Sequence, residues 1–374
     1  MADFKGDEEE LPKPKSLEEV IWQERDLETQ MTKVTRDVFA WEYADMKGLA
    51  PMFYQHKIHL KPDAIPVKQH SYRMNPNLAK QVKVEIDRLL QVGFITPIDN
   101  IVVVPKKNKK IRICVDYRKL NVATISDPFP LLFLDSILDD VAGHEMYSFL
   151  DGFSGYNQIR MAHEDQAKTI FITAWGVFAC TVMWFGLRNA PSTFQRDMSE
   201  IFGPYLTDFM RIYLDDLSVF GSQQEHLKHM RLCFLKCREV HFSLNLLKCA
   251  FAVHSGRLLG HIIFENGIAV DPDKIAAIME APALVNSKQC AIFLGQARWH
   301  GRHLRFVVHL AISINFVAHA KICEWTLECN LVYRRLKIQL SKAPIMILPN
   351  WEKDFHVFVD ALDKAVGCVL MQEH

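Results

Sequence analysis

Apolar positions along this chain recur with two periods, and each period marks a set of elements. From Gln81 to Val92 the residues Val82, Ile86, Leu89 and Leu90 follow the three-and-four spacing of an amphipathic helix, and Gly93 stands where a left-handed residue would end it. His226 to Arg238 repeats the pattern, with Leu227, Met230, Phe234 and Cys237 on an inner face. Asp271-Pro272 supplies an N-cap and a proline at the first helical position, ahead of an apolar stripe of Ile275, Ile278 and Met279 that Pro282 stops. Short β-branched runs at Ile101 to Val104 and Ile111 to Val115 flank Pro105-Lys-Lys-Asn-Lys-Lys110 and predict a basic hairpin. Further strands are expected at Met146 to Leu150, Met210 to Leu214, Leu217 to Phe220, Phe355 to Val359 and Ala365 to Met371. Helices and strands mix without regular alternation, which predicts an α+β fold over a doubly wound sheet.

Carboxylates sit at the ends of these strands. Adjacent side chains on a regular strand point to opposite faces, so Tyr213-Leu214-Asp215-Asp216 reads as a hairpin with both acids at its tip. An Asp-Asp pair is ordinarily a solvated turn. Asp151 changes that reading, because it closes the run Met146 to Leu150 and is followed by the tight turn Gly152-Phe-Ser-Gly-Tyr156. Three carboxylates at strand ends can hold two divalent cations about 3.5–4 Å apart, the clamp used in phosphoryl transfer. The pattern points to a nucleotide polymerase.

With 374 residues, 49% of them apolar, the chain can bury a sizeable core in two or three domains. Its formal net charge of zero conceals an uneven spread. Residues 1 to about 65 are acidic at the start (Asp7 to Glu10, Glu18, Glu19, Glu24) and are expected to form a leader. Between Lys106 and Lys119 seven cations face a single acid, Asp116, a patch suited either to phosphate contact or to a solvated hairpin face. Nine cysteines without a Cys-x-x-Cys pair predict neither a disulfide framework nor a zinc ribbon and fit a reducing intracellular compartment. The apolar stretch His303 to Ile322 is interrupted by Arg305, His309, Asn315 and His319, and is read as a buried helix, with no membrane partner expected. His300, His303 and His309 match no metal-ligand spacing.

Five segments in order, Ile111-Arg-Ile-Cys-Val-Asp-Tyr-Arg-Lys-Leu-Asn121, Tyr147-Ser-Phe-Leu-Asp-Gly-Phe-Ser-Gly-Tyr-Asn-Gln158, Phe185-Gly-Leu-Arg-Asn-Ala-Pro-Ser-Thr-Phe-Gln195, the Tyr213 tetrad and Leu259-Gly-His261, closely resemble the reverse transcriptase of gypsy-type LTR retrotransposons. The resemblance covers about residues 35 to 374. It implies a right-hand polymerase: fingers and palm over 66–265, thumb and connection over 266–342, and the beginning of an RNase H-like segment over 343–374. It further implies that Asp151, Asp215 and Asp216 are the catalytic, metal-binding set for two Mg2+ ions, with Asp151 and Asp215 the principal ligands. Arg112, with Lys106 or Lys107, is expected on the incoming triphosphate; Phe185, Gly186, Arg188 and Tyr213 at the nucleotide and template; and Gly260 and His261 at the primer end. Tyr156, otherwise a core aromatic, becomes a steric gate against a ribose 2′-hydroxyl. The partners implied are a primed RNA or DNA template and deoxynucleoside triphosphates, in cytoplasmic particles.

Several positions depart from the family pattern. About eight residues are absent before Ile101, Lys109 follows Asn108 where Asn-Gly is common, and Trp184 replaces a proline before Phe185-Gly186. From Trp299 to Asn330 the pattern is eroded. Asp360 resembles the first RNase H aspartate, but His374 comes before the other acids, so no RNase H activity is expected. Two readings follow: an active RNA-directed DNA polymerase, or a decayed fragment retaining at most nucleic-acid binding. A template-dependent RNA polymerase is disfavoured by Tyr156.

Overall fold

A computed structural model describes residues 36–65, 76–97, 102–105, 111–130, 132–281 and shorter stretches between 288 and 372. Within these, the chain divides into two compact units, a larger one drawn from Lys13–Ile137 and Met146–Val253, and a smaller one from Leu138–Glu145 and His254–His374.

In chain order the larger unit contains β1 (Gln55–His56), α1 (Pro76–Gln91), β2 (Ile95–Pro97), β3 (Val102–Pro105), β4 (Ile111–Cys114), β5 (Met146–Asp151), β6 (Arg160–Met161), β7 (Phe171–Thr173) and β8 (Gly176–Cys180). It continues through α2 (Ala190–Ile201), β9 (Met210–Tyr213), β10 (Asp216–Gly221), α3 (Gln223–Val240) and β11 (Ala250–Val253). Both long predicted helices are present, and Gly93 ends α1 at φ +70°, as its position predicted. The basic hairpin is present as β3 paired antiparallel with β4; its turn, with Lys106, lies outside the described residues.

The central sheet has the order β11-β5-β10-β9. Leu217, Ser218, Val219 and Phe220 are all buried, so β10 is covered on both faces. Ser148 and Ser218 therefore need partners, and the Ser148 hydroxyl lies 2.8 Å from His226 Nε2 on α3 while accepting from the Ala252 N–H at 3.0 Å. Burial holds the His226 imidazole down at about 4, neutral at physiological pH. Around the sheet lie Phe194, Phe202, Phe234 and Phe242, each worth about 1.5–3 kcal/mol when fully buried. Residues 36–65, at the end of the expected leader, are built into this core. Phe39 packs edge-on against Phe234 and Phe251, and Leu244 exchanges backbone bonds with Val38 and Ala40.

The smaller unit holds an antiparallel sheet of β12 (Ser255–Leu258), β13 (His261–Phe264) and β14 (Gly267–Val270), then α4 (Pro272–Glu280). Asp271 caps α4 through the Asp273 N–H at 3.0 Å. Ile278 is buried as predicted, but Met279 is exposed, because a nine-residue helix resting on one side buries only a narrow stripe. The hairpin β15 (His356–Leu362) and β16 (Ala365–Met371) runs past Asp360, where the strand was expected to stop. Residues 303–322, with His300, His303 and His309, lie outside the described residues. Among those described, no helix is long and apolar enough to cross a membrane.

One buried acid has no catalytic assignment. Asp197 on α2 is almost fully enclosed, and its Oδ2 has no hydrogen-bond partner among the described residues. Burial pushes its carboxyl up to about 7, with Arg196 pulling it down and Glu200 adding to the rise. A folded-state pKa above the unfolded value means this group favours folding at low pH and loses that contribution as pH rises from about 4 to about 7. Asp197→Asn is therefore expected to be more stable than the parent at pH 8 by about 2–4 kcal/mol, the gap narrowing towards pH 4. Urea unfolding at the two pH values checks this, and equal stabilities at pH 8 would contradict it.

Candidate active site

The site is built on the pairing of β5 with β10. Their antiparallel register runs from Gly221 opposite Met146 to Asp216 opposite Asp151, so two carboxylates face each other at the end of the ladder. Strand β9 returns on the other edge of β10 and pairs Tyr213 with Asp216, leaving Leu214 and Asp215 as a two-residue tip. Both acids lie at the hairpin end as expected, with Asp216 serving as the first residue of β10.

Leu214 has φ +53°, a left-handed conformation that costs a leucine about 1–2 kcal/mol. Gln195 on α2, itself buried, offsets that cost: its Oε1 accepts the Leu214 N–H at 2.8 Å, and its Nε2 donates to Ile212 O at 3.1 Å. One carboxamide thus clamps the β9 side of the tip. Gly155 completes the fit, since a Cβ there would overlap Asp215 Oδ1 and press on the Phe194 ring.

Behind Asp151 the chain turns through Ser154 (φ +49°) into the short 3-10 helix Gly155–Gln158. Gln158 locks this turn, donating to Phe153 O at 2.9 Å and Ser243 O at 2.8 Å and accepting from Ser243 N–H at 2.7 Å. Tyr156 is buried between Phe185 and Phe194, with ring centroids 4.8 and 5.2 Å away. Burial, then the negative charge of Asp215, raises its phenol well above its ordinary range, so it stays neutral.

Asp151 already holds a cation. Lys248 Nζ donates to Oδ1 at 2.7 Å and to Oδ2 at 2.9 Å. The carboxyl of Asp216 is raised, first by removal of water and then by the charge of Asp151, with Lys248 pulling it back. Among the described residues no three His, Cys, Asp or Glu side chains are gathered as a ready metal cage.

The other predicted residues distribute as follows. Phe185 packs against the core and Gly186 adopts φ +91°. Asn121, from the first recognised segment, ties this loop down by donating to Gly186 O at 2.8 Å and accepting from Arg188 N–H at 2.9 Å, while Arg188 Nη1 donates to Asn121 O at 3.1 Å. Arg112 lies on β4 opposite Val104. Gly260 and His261 belong to the smaller unit: Leu259 and Gly260, at φ +49° and +77°, form the β12–β13 turn, and His261 is buried. Trp184 is buried in the core, and its Nε1–H has no partner among the described residues.

Residues 104–263 match the family described as reverse transcriptase (RNA-dependent DNA polymerase), and 325–374 match an RNase H-like domain found in reverse transcriptase. The chain is 33% identical to the retrovirus-related Pol polyprotein from transposon 297 of Drosophila melanogaster, over 82% of this chain and 30% of that protein. It belongs to the reverse transcriptase family. The Pol polyprotein from Drosophila melanogaster transposon 412 is 30% identical over 90% of this chain and 28% of its own length, so the chain spans under a third of the curated relatives it matches. In fold it is similar to the foamy viral protease-reverse transcriptase in complex with an RNA/DNA hybrid, with TM-score 0.81 at 19% identity, covering 97% of this chain and 51% of that one. Reverse transcriptases generally use divalent metal ions.

Sequence reasoning did not single out Gln195, Gln158, Asn121 or Lys248. The available signal was polarity inside otherwise apolar patterns, as with Gln195 between Phe194 and Met198 on the buried side of α2. Gln195→Leu leaves the Leu214 N–H and Ile212 carbonyl without their partner and is expected to lower stability by about 1–3 kcal/mol. Chemical denaturation reads this directly, and unchanged stability would mean that the hairpin holds its tip without the clamp.

Proposed function

We propose that the chain is an RNA-directed DNA polymerase, transferring deoxynucleotides to a primer end on an RNA or DNA template. The observation that carries the reading is the register of β5 against β10, which sets Asp151 opposite Asp216 with Asp215 at the adjoining tip. The donor set fits divalent cations in kind, three carboxylates with hard oxygens, and a metal at Asp151 would have to displace Lys248 from both of its oxygens. Two Mg2+ ions bound there would supply charge neutralisation on the attacking and leaving oxygens.

The chain's own residues supply placement and exclusion. Asp151 and Asp215 act as principal ligands and Asp216 supports them. Tyr156, wedged between Phe185 and Phe194, presents a fixed ring against the sugar and selects for deoxynucleotides. Arg112, whose planar donor fork suits phosphate oxygens, binds the triphosphate together with Lys106. Phe185, Gly186, Arg188 and Tyr213 hold the nucleotide and template, and Gly260 and His261 support the primer. Foamy viral protease-reverse transcriptase structures containing an RNA/DNA hybrid or double-stranded DNA share this fold and support a primed duplex as the partner. Binding of nucleic acid without catalysis is the second reading, favoured by the engagement of Asp151 by Lys248.

Primer extension on an RNA template with magnesium tests the proposal. Asp215→Asn is expected to lose extension by more than about a hundredfold, since even outer partners of metal ligands are typically worth about 10–100-fold. Extension by neither protein, with both folded, would establish the second reading. In the active protein Tyr156→Ala is expected to relax discrimination against ribonucleotides by about 10–200-fold, the usual worth of one steric contact. Single-nucleotide incorporation of matched ribo- and deoxynucleotides measures it, and an unchanged ratio would remove Tyr156 from the gate.

A further inference from the structure

A cavity of about 400 Å³ opens on the larger unit where the loop around residues 42–48 meets the end of α1 and the turn that follows Asp151. Three cations line it, Lys47 from the loop, Arg88 from α1 and Arg160 from β6, against a single lining carboxylate, Glu42. Among the described residues, none of the three cations forms an ion pair. Arg88 lies over the Tyr43 ring at 4.6 Å and acts electrostatically on the Glu85 carboxylate, while Arg160 and Lys47 form no ion pair among the described residues. Cations in excess over the one lining carboxylate, converging on a concave space, focus positive potential there.

The second observation is Asn157. This residue is more than nine-tenths buried and lines the same cavity. A carboxamide that lines the cavity can donate to a polar ligand there. The walls are fixed in advance. Leu49 N–H donates to Gln158 O at 2.8 Å, and Tyr43 packs on Phe94 and Phe153 at 5.1 and 6.0 Å. Asn157 follows Tyr156 in the chain but serves a different space, since Phe185 and Phe194, which enclose Tyr156, do not line this cavity.

We propose that this cavity is a phosphate-binding site, in which Arg88, Arg160 and Lys47 neutralise the charge and Asn157 donates a hydrogen bond from the floor. Guanidinium forks match phosphate oxygens in pairs, and the Tyr43 face holds Arg88 in place without competing for its N–H groups. The phosphate belongs either to a free polyphosphate or to the backbone of a bound nucleic acid. The site does not depend on the polymerase reading, because its occupancy is read without chain extension.

The test uses the full chain without divalent metal. Calorimetric titration with inorganic tripolyphosphate forms one arm; the affinity of a primed duplex, measured across a range of salt concentrations, forms the other. For a free polyphosphate, Arg88→Gln with Arg160→Gln weakens tripolyphosphate binding by more than about tenfold, while Arg160→Lys keeps most of it. For a nucleic-acid phosphate, tripolyphosphate binding is unaffected, but the double variant lowers the slope of log K against log salt by about 2. Lys47→Glu, at an exposed position that folding does not require, must shift the same arm in the same direction, which keeps the test decisive if the double variant fails to fold. Wild-type behaviour of these variants in both arms overturns the proposal.

Discussion

The pairing of β5 with β10 is the constraint on which the rest of the site depends. Side chains alternate faces along a strand, so a slip of one residue would turn Leu217 and Val219 away from their places in the core and move Asp216 off Asp151. Because β10 is covered on both faces, no alternative register is cheap. The hydrophobic core therefore sets the alignment of two carboxylates that have no affinity for each other, and the carboxyl of Asp216 is raised first by its burial and then by the charge of Asp151.

Crowding acids at a strand end has consequences that the neighbouring residues absorb. Leu214 sits in a conformation leucine avoids, and Gln195 compensates with two hydrogen bonds from within α2. Gly155 leaves room for Asp215 where any side chain would collide. Lys248 balances the charge of Asp151 from the segment leading into β11, and Asn245 N–H from the same segment donates to Asp151 O at 2.8 Å. Strain, space and charge are each met by a residue remote in sequence from the acid it serves, a pattern typical of sites where geometry is over-determined by the surroundings.

Much of the fold was legible in the chain because its signals are local. Helix α1 could be read from the spacing of Val82, Ile86 and Leu89, its end from Gly93, and the cap of α4 from Asp271-Pro272. The limits of that reading are equally physical. Met279 fits an apolar stripe yet faces solvent, since periodicity shows which face is apolar and not how much of it another element covers. Residues 36–65 look like a polar leader by composition, but the short run Val38-Phe39-Ala40 and the separate Leu49 and Ile58 enter the core, too few and too far apart to form a periodic signal.

The sequence by itself determined the chemistry on offer: three strand-end carboxylates, an aromatic one turn beyond the first of them, and a family pattern that names their roles. These are properties of neighbours in the chain, carried by adjacent side chains and turn residues. Only the tertiary structure decided which long-range partners hold that chemistry in place. Gln195 reaching the Leu214 tip, Lys248 on Asp151, Asn121 tying Gly186 to Arg188, and Asn157 left facing a cationic cavity are all contacts between distant segments. A polar residue in an apolar pattern announces that it needs a partner, but which one it finds depends on the packing of the whole unit.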